Sequence, residues 1–132
     1  MKTYASSDAA LLLVRIGLGL IFIAHGWAKL ADIEGTTAFF ATIGLGVSLV
    51  WLVAIVELVA GLAMLSGLFT GIAGILIALT MVGAIITVKA QSGLIGGFLG
   101  GYEFDLMLFL SALAIAMAGP GKYTIKYLWN KA

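Results

Sequence analysis

Four long apolar stretches, each interrupted by very few charges, constrain the fold of this chain more than any other feature. They cover residues 8–30, 48–67, 71–90 and 103–119, and about 20 mostly apolar residues suffice for a helix to cross a bilayer. Of the 132 residues, 63% are hydrophobic and 10% are charged, whereas a soluble domain carries about 25% charged residues. The sequence therefore predicts an all-α, polytopic membrane four-helix bundle that forms a single domain over residues 1–132.

The segments between the apolar stretches predict how these helices connect. Residues 31–47 are too polar and too rich in glycine to span a membrane, but their larger side chains recur at helical spacing. This spacing predicts a short interfacial helix between helices 1 and 2. Residues 66–71 predict a tight antiparallel hairpin. The five glycines of residues 91–102 predict a mobile apolar flap over the end of the bundle.

The distribution of basic residues predicts the orientation of the chain. Arg15 interrupts the first apolar stretch, which continues to Lys29, so this stretch is interpreted as a mature helix rather than a secretory signal. With four spans, both termini share one face, and that face receives most of the lysines: Lys2, Lys122, Lys126 and Lys131. The positive-inside rule then predicts a cytoplasmic (inner) membrane protein with both termini in the cytoplasm.

Composition also argues against several classes of function. The chain has no cysteine, which excludes disulfides, covalently attached haem and thiolate-held iron–sulfur clusters within it. A formal net charge of +1 without any basic run argues against a nucleic-acid partner. A single histidine, with no two ligands one helical turn apart, predicts no metal site. The predicted surroundings are the lipid bilayer, and a homo-oligomer is left open.

The ionisable residues inside the apolar stretches are the candidates for function, because charge at membrane depth is costly unless it is paired or hydrated. Arg15, His25 and Lys29 share one face of the first helix, and Glu57 lies in the second. Counting helical rise from the membrane surfaces predicts a structural ion pair between Arg15 and Glu57. The sequence does not decide whether this pair would only lock two helices together or would also take part in catalysis.

A second group of candidates is predicted at the extracytoplasmic end. His25 and Lys29 reach the same membrane level as Glu103 and Asp105, and two bases facing two acids are typical of a functional cleft. Simpler interpretations exist for each residue. Lys29 and His25 are also suited to the interface, the two acids favour the N-terminus of a helix, and Lys89 fits a helix-end anchor.

Several sequence blocks resemble one family of membrane proteins. In order along the chain they are LLVRIGLGLIF at 12–22, HGWAKL at 25–30, IVELVAG at 55–61, GYEF at 101–104 and GPGKYT at 119–124. Together these blocks resemble the DoxX family of small bacterial and archaeal membrane proteins. Lys126 departs from the family pattern, which often has an aspartate after this last block.

The resemblance implies a four-helix membrane bundle and a link to redox metabolism. The family takes its name from a subunit of an archaeal oxidase complex with thiosulfate:quinone oxidoreductase activity, and other members are tied to oxidative-stress complexes. The first hypothesis is accordingly a membrane subunit of a quinone-linked redox system that works with a redox partner subunit. Its expected catalytic residues are His25, Lys29 and Glu103, and the expected neighbours of the quinone ring are Phe22, Trp27, Phe98 and Tyr102.

The alternative hypothesis comes from another class of function. A distant relation of the family to the eukaryotic surfeit-locus cargo receptors is a precedent without catalysis. The chain would then be a non-catalytic membrane scaffold or a small-solute transport module, and its polar face would serve helix packing or solute passage.

Overall fold

The computed structural model describes residues 3–96 and 100–131, and this part of the chain is helical without any strand. The predicted all-α class is confirmed. The helices are α1 (Thr3–Ala31), α2 (Ile33–Thr42), α3 (Val47–Ser66), α4 (Thr70–Ala84), α5 (Glu103–Ala118) and α6 (Ile125–Trp129). After α4 the chain continues as a π-helical turn, Ile85–Lys89, and a 3₁₀ turn, Ala90–Ser92.

Among the residues that the structure describes, three helical segments are long and apolar enough to cross a membrane. They are Ser7–Ala31, Val47–Ser66 and Thr70–Ser92. Helix α5 has 16 residues, which corresponds to about 24 Å of helix, and is shorter than a usual spanning helix. The chain is a membrane protein, and the predicted limits of the second and fourth apolar stretches agree with α3 and α5 to within one residue.

The long helices associate as two pairs. Helix α1 packs most extensively against α3, and α4 against α5, while the α3–α4 hairpin joins the two pairs. The buried core runs between the pairs and includes Phe22, Met64, Ile77 and Ile115. The hairpin turns at Gly67, which has a positive φ of 75° and ends α3.

Glycines set the register between α1 and α3. A Cβ atom on Gly26 would lie 2.7 Å from the backbone nitrogen of Leu58 and 2.8 Å from the carbonyl oxygen of Ala54. One on Gly19 would lie 3.0 Å from the carbonyl oxygen of Gly61. The two backbones therefore touch at these levels, which is the close approach that small residues permit in membranes.

This close approach predicts a measurable effect of one methyl group. Gly26→Ala should force α1 and α3 apart and lower the free energy of unfolding by about 1–3 kcal/mol, as overpacking does. Gly17→Ala is the matched control, since a Cβ there meets nothing within 4 Å. Unfolding in mixed detergent micelles measures both variants. Equal stability of the two would contradict the assigned contact.

Helix α2 folds back against α3. Its N-terminus is capped by the side chain of Asp32, which accepts a hydrogen bond from the backbone N–H of Gly35 at 3.0 Å. Phe40 is buried, whereas the neighbouring Phe39 is 48% exposed. The short helix predicted between the first two spans is therefore present, and its Phe40 packs inward.

The glycine-rich segment after α4 is closed by backbone hydrogen bonds. The N–H groups of Tyr102 and Glu103 donate to the carbonyl oxygens of Gly93 and Leu94 at 3.2 and 3.1 Å. Phe98, one of the predicted ring neighbours, lies outside the described residues. The mobility of the predicted flap stays a prediction.

Candidate functional site: an apolar cavity with two ion pairs

An open cavity of about 570 Å³ lies between the two helix pairs, toward the ends of α3 and α4 that are remote from their hairpin. Its wall is mostly apolar and is formed by α1 to α5 together with the π-helical turn. The volume is within the range of small-molecule sites, about 300–1,000 Å³. The charged residues on this wall are Lys29, Glu57, Lys89 and Asp105.

The first ion pair joins α1 to α3. The Lys29 Nζ lies 2.6 Å from the Glu57 Oε2, and the side chains are 20% and 4% exposed. Lys29 therefore provides the opposite charge for the Glu57 carboxylate, which is the more deeply buried of the two carboxylates in the wall. The glycine contacts between α1 and α3 explain this choice of partner, because they place Gly26 opposite residues 54–58.

The predicted ion pair between Arg15 and Glu57 is wrong. Gly19 lies at the level of Gly61 and Leu65, so Arg15, a turn before it, lies near the end of α3. Leu65 lies eight positions after Glu57, which is about 12 Å along the helix. Counting rise from assumed membrane surfaces failed because the contacts of Gly26 with Ala54 and Leu58 set another register, in which Glu57 lies near the level of Gly26 and not of Arg15.

Arg15 instead binds backbone carbonyl groups and is fully buried. Its guanidinium donates to Met64 O at 2.9 Å and Leu65 O at 3.3 Å, both in the last turn of α3. It also donates to Pro120 O at 2.7 Å and Tyr123 O at 2.8 Å, after the end of α5. A cation at the C-terminal end of a helix is favoured by the helix dipole, so Arg15 holds three parts of the chain together.

The second ion pair joins the end of α4 to α5. The Lys89 Nζ lies 2.7 Å from the Asp105 Oδ2, with side-chain exposures of 36% and 10%. Lys89 is the last residue of the π-helical turn, a local widening that is frequent at functional sites. Interpreting Lys89 as a helix-end anchor missed this partner. The available signal was that Lys89 and Asp105 lie at adjoining ends of successive antiparallel helices.

His25 lies on the cavity wall, as predicted, but its side chain is exposed. Within residues 3–96 and 100–131, no hydrogen bond to its imidazole ring is found. Its backbone carbonyl oxygen lies 3.5 Å from the Lys29 Nζ. The ring is therefore open to water or to a ligand.

The other predicted site residues divide into two groups. Phe22 lines the cavity and is 1% exposed. Trp27, which is 65% exposed, lies outside the cavity wall, as do Tyr102 and Glu103. Glu103 instead accepts a hydrogen bond from the backbone N–H of Gly101 at 3.0 Å. Both Glu103 and Asp105 were predicted at this level, and of the two only Asp105 lies on the wall.

The cavity wall has the composition of a site for an organic ligand. In the part of the chain that the structure describes, no three His, Asp or Glu residues are grouped so that they could hold a metal ion. The ion pairs supply ammonium donors, and the rest of the wall supplies apolar contact. An uncharged ligand with hydrogen-bond acceptors fits this arrangement.

Comparisons with known proteins identify the family of this chain. The DoxX family profile matches residues 10–90. A Bacillus subtilis protein named "Putative oxidoreductase CatD" is 41% identical over 114 residues, covering 86% of this chain and 82% of the relative. An uncharacterised membrane protein of Mycobacterium tuberculosis, Rv3486, is 30% identical over 92% of this chain and 82% of its own length. The Escherichia coli inner membrane protein YqjF is 28% identical over 94% of this chain and 95% of its own. No solved structure matches the chain.

Proposed function

Since the chain belongs to the DoxX family of membrane proteins, we propose that it is an integral membrane subunit of a quinone-linked redox system and that its cavity binds the quinone ring. The observation that carries this proposal is the pairing of an apolar cavity of about 570 Å³ with two lysine–carboxylate pairs on its wall. The name of the Bacillus subtilis relative, an oxidoreductase, supports the same class of chemistry.

The residues present fit a quinone ring. Each lysine ammonium has three donor hydrogens and uses one on its carboxylate partner, so donors remain for the carbonyl oxygens of a quinone. Phe22 and the other apolar wall residues supply contact for the ring faces. A bound quinone would supply the reversible uptake of two electrons and two protons.

The chain's own residues serve to bind the ring and to hold protons. Glu57 holds the Lys29 ammonium at the cavity wall, and Asp105 does the same for Lys89. His25 is suited to proton exchange because its imidazole ring can both donate and accept a hydrogen bond and is exposed. Since the chain has no cysteine, the electrons would come from a partner subunit or from a bound cofactor.

The proposed topology follows from the same helices. We place α5 as a fourth crossing, because it packs along α4 after a return loop and ends at Gly119. Helix α2 then lies at the extracytoplasmic interface above the cavity, and both termini lie in the cytoplasm of an inner-membrane protein. This arrangement is the four-helix membrane bundle with an interfacial helix.

Quinone binding tests the function. Purified protein in lipid nanodiscs should bind a benzoquinone, and removing the whole first pair with Lys29→Met and Glu57→Leu should weaken binding about tenfold to a hundredfold. A hydrogen bond to a charged group contributes about 1.5–3 kcal/mol, and about 1.4 kcal/mol corresponds to tenfold. Changing both partners avoids leaving one charge buried alone.

Lys126→Met is the matched control, since Lys126 lies on α6 and is not part of the cavity wall. It should bind quinone as the unmodified protein does. A cavity that retains no quinone would instead support the other hypothesis, a non-catalytic membrane scaffold or a small-solute transport module. Equal loss in the Lys126 variant would contradict the assigned site.

A further inference from the structure

The cavity has a side opening between α3 and α4. Leu52 on α3 and Leu79 on α4 both line the cavity, yet they are 58% and 63% exposed. Gly83, one turn after Leu79, also lines the cavity and is exposed. Residues that line a cavity and are also exposed lie at its openings, and Leu52, Leu79 and Gly83 define the side opening between α3 and α4. Other exposed residues of the wall mark where the cavity is open elsewhere: His25, Phe39, Thr87, Val88 and Phe104.

The side opening lies within the membrane-spanning part of the hairpin. Leu52 is the sixth residue of the span Val47–Ser66, about 8 Å from its start. Gly83 is the fourteenth residue of the span Thr70–Ser92, about 20 Å from its start. The opening therefore faces the hydrocarbon region and not the aqueous phase.

The charges of the cavity are set back from this opening. Glu57 and Asp105 are only 4% and 10% exposed, and each is covered by its lysine. The side opening itself is formed by two leucines and a glycine, which carry no charge. The cavity is thus polar at its inner wall and apolar where it meets the lipid.

Gly83 differs from the glycines that pack helices together. A Cβ on Gly74, earlier in the same helix, would lie 2.5 Å from the carbonyl oxygen of Ala112, whereas one on Gly83 meets nothing within 4 Å. The glycine at 83 is therefore not required for helix contact. The space beside it is open, and Gly83 also lines the cavity.

We propose that the ligand is an amphiphile whose polar ring lies against the two ion pairs and whose hydrocarbon chain leaves through the side opening into the bilayer. It enters sideways from the membrane, past Gly83. Along this route the chain stays in apolar surroundings, so the ring reaches the ion pairs without exposing hydrocarbon to water. This inference rests on the proposed role of the cavity as a ligand site and adds the class of ligand and its route.

Two probes separate the ring from the chain. One is a benzoquinone without a side chain, and the other is the same ring with a decyl chain; both are titrated into protein in nanodiscs, with concentrations expressed per lipid. Gly83→Phe fills the side opening and should weaken binding of the decyl compound about tenfold while changing that of the chainless ring less than twofold. Gly17→Phe is the matched control, because a Cβ at Gly17 also meets open space and Gly17 does not line the cavity.

Leu79→Trp is a second variant that narrows the same opening. It serves as the test if the Gly83→Phe protein does not fold, and the same difference between the two probes is expected. Equal weakening of both probes, or none, overturns the side-entry inference while the proposed function stands. Failure of the unmodified protein to bind either probe removes the proposed function together with the inference. A changed oligomeric state with unchanged affinity for both probes would assign this face to a second copy of the chain.

Discussion

Replacing Arg15 by leucine is expected to lower the free energy of unfolding by about 4 kcal/mol and to leave little folded protein in the membrane. Four backbone carbonyl groups accept hydrogen bonds from the buried guanidinium, and each buried acceptor left without a donor costs about 1 kcal/mol or more. Detergent-induced unfolding and the yield of monodisperse protein measure the effect.

Two further variants show whether the loss comes from the hydrogen-bond geometry. Arg15→Lys keeps the charge but not the planar fork, so it should recover only part of the stability. Leu13→Ala changes an exposed residue of the same helix, 69% accessible, and should be close to neutral. A leucine variant as stable as the unmodified protein would show that the guanidinium does not hold α1, α3 and the segment after α5 together.

Glu57→Leu is expected to cost about 3–5 kcal/mol, because it leaves the Lys29 ammonium, which is 20% exposed, without its carboxylate partner. The double variant Lys29→Met and Glu57→Leu should recover most of that loss, since an apolar pair replaces the charged one. The unfolding free energies of the single and double variants form a cycle that measures the coupling directly.

A second cycle with Arg15 distinguishes the true partner of Glu57. Arg15→Leu and Glu57→Leu should be additive within about 0.5 kcal/mol, because residues more than about 10 Å apart without shared partners rarely couple. Strong coupling between Arg15 and Glu57, with none between Lys29 and Glu57, would reverse the pairing described for α1 and α3.

The candidate site was predictable from sequence only in part. His25, Lys29 and Phe22 were expected on the inward face of the first helix, and they lie on the cavity wall. Glu103 and Asp105 were both expected there, and only Asp105 provides a carboxylate on the wall. Both acids lie in the first turn of α5, two positions apart and therefore on different faces of the helix. Helical periodicity alone does not say which of these faces points to a neighbouring helix.

The length of each apolar stretch and the positions of glycine and proline determine where the helices of this protein begin and end. Both act locally, the first through the transfer of side chains from water into lipid and the second through the conformation of the backbone. The all-α class, the membrane location and the limits of α3 and α5 follow from them. The partners of Arg15, Glu57 and Lys89 were decided only by tertiary structure. Register between helices is set by backbone contacts such as that of Gly26 with Ala54 and Leu58, and the acceptors of Arg15 are carbonyl groups that every residue carries, so no residue type in the sequence marks them.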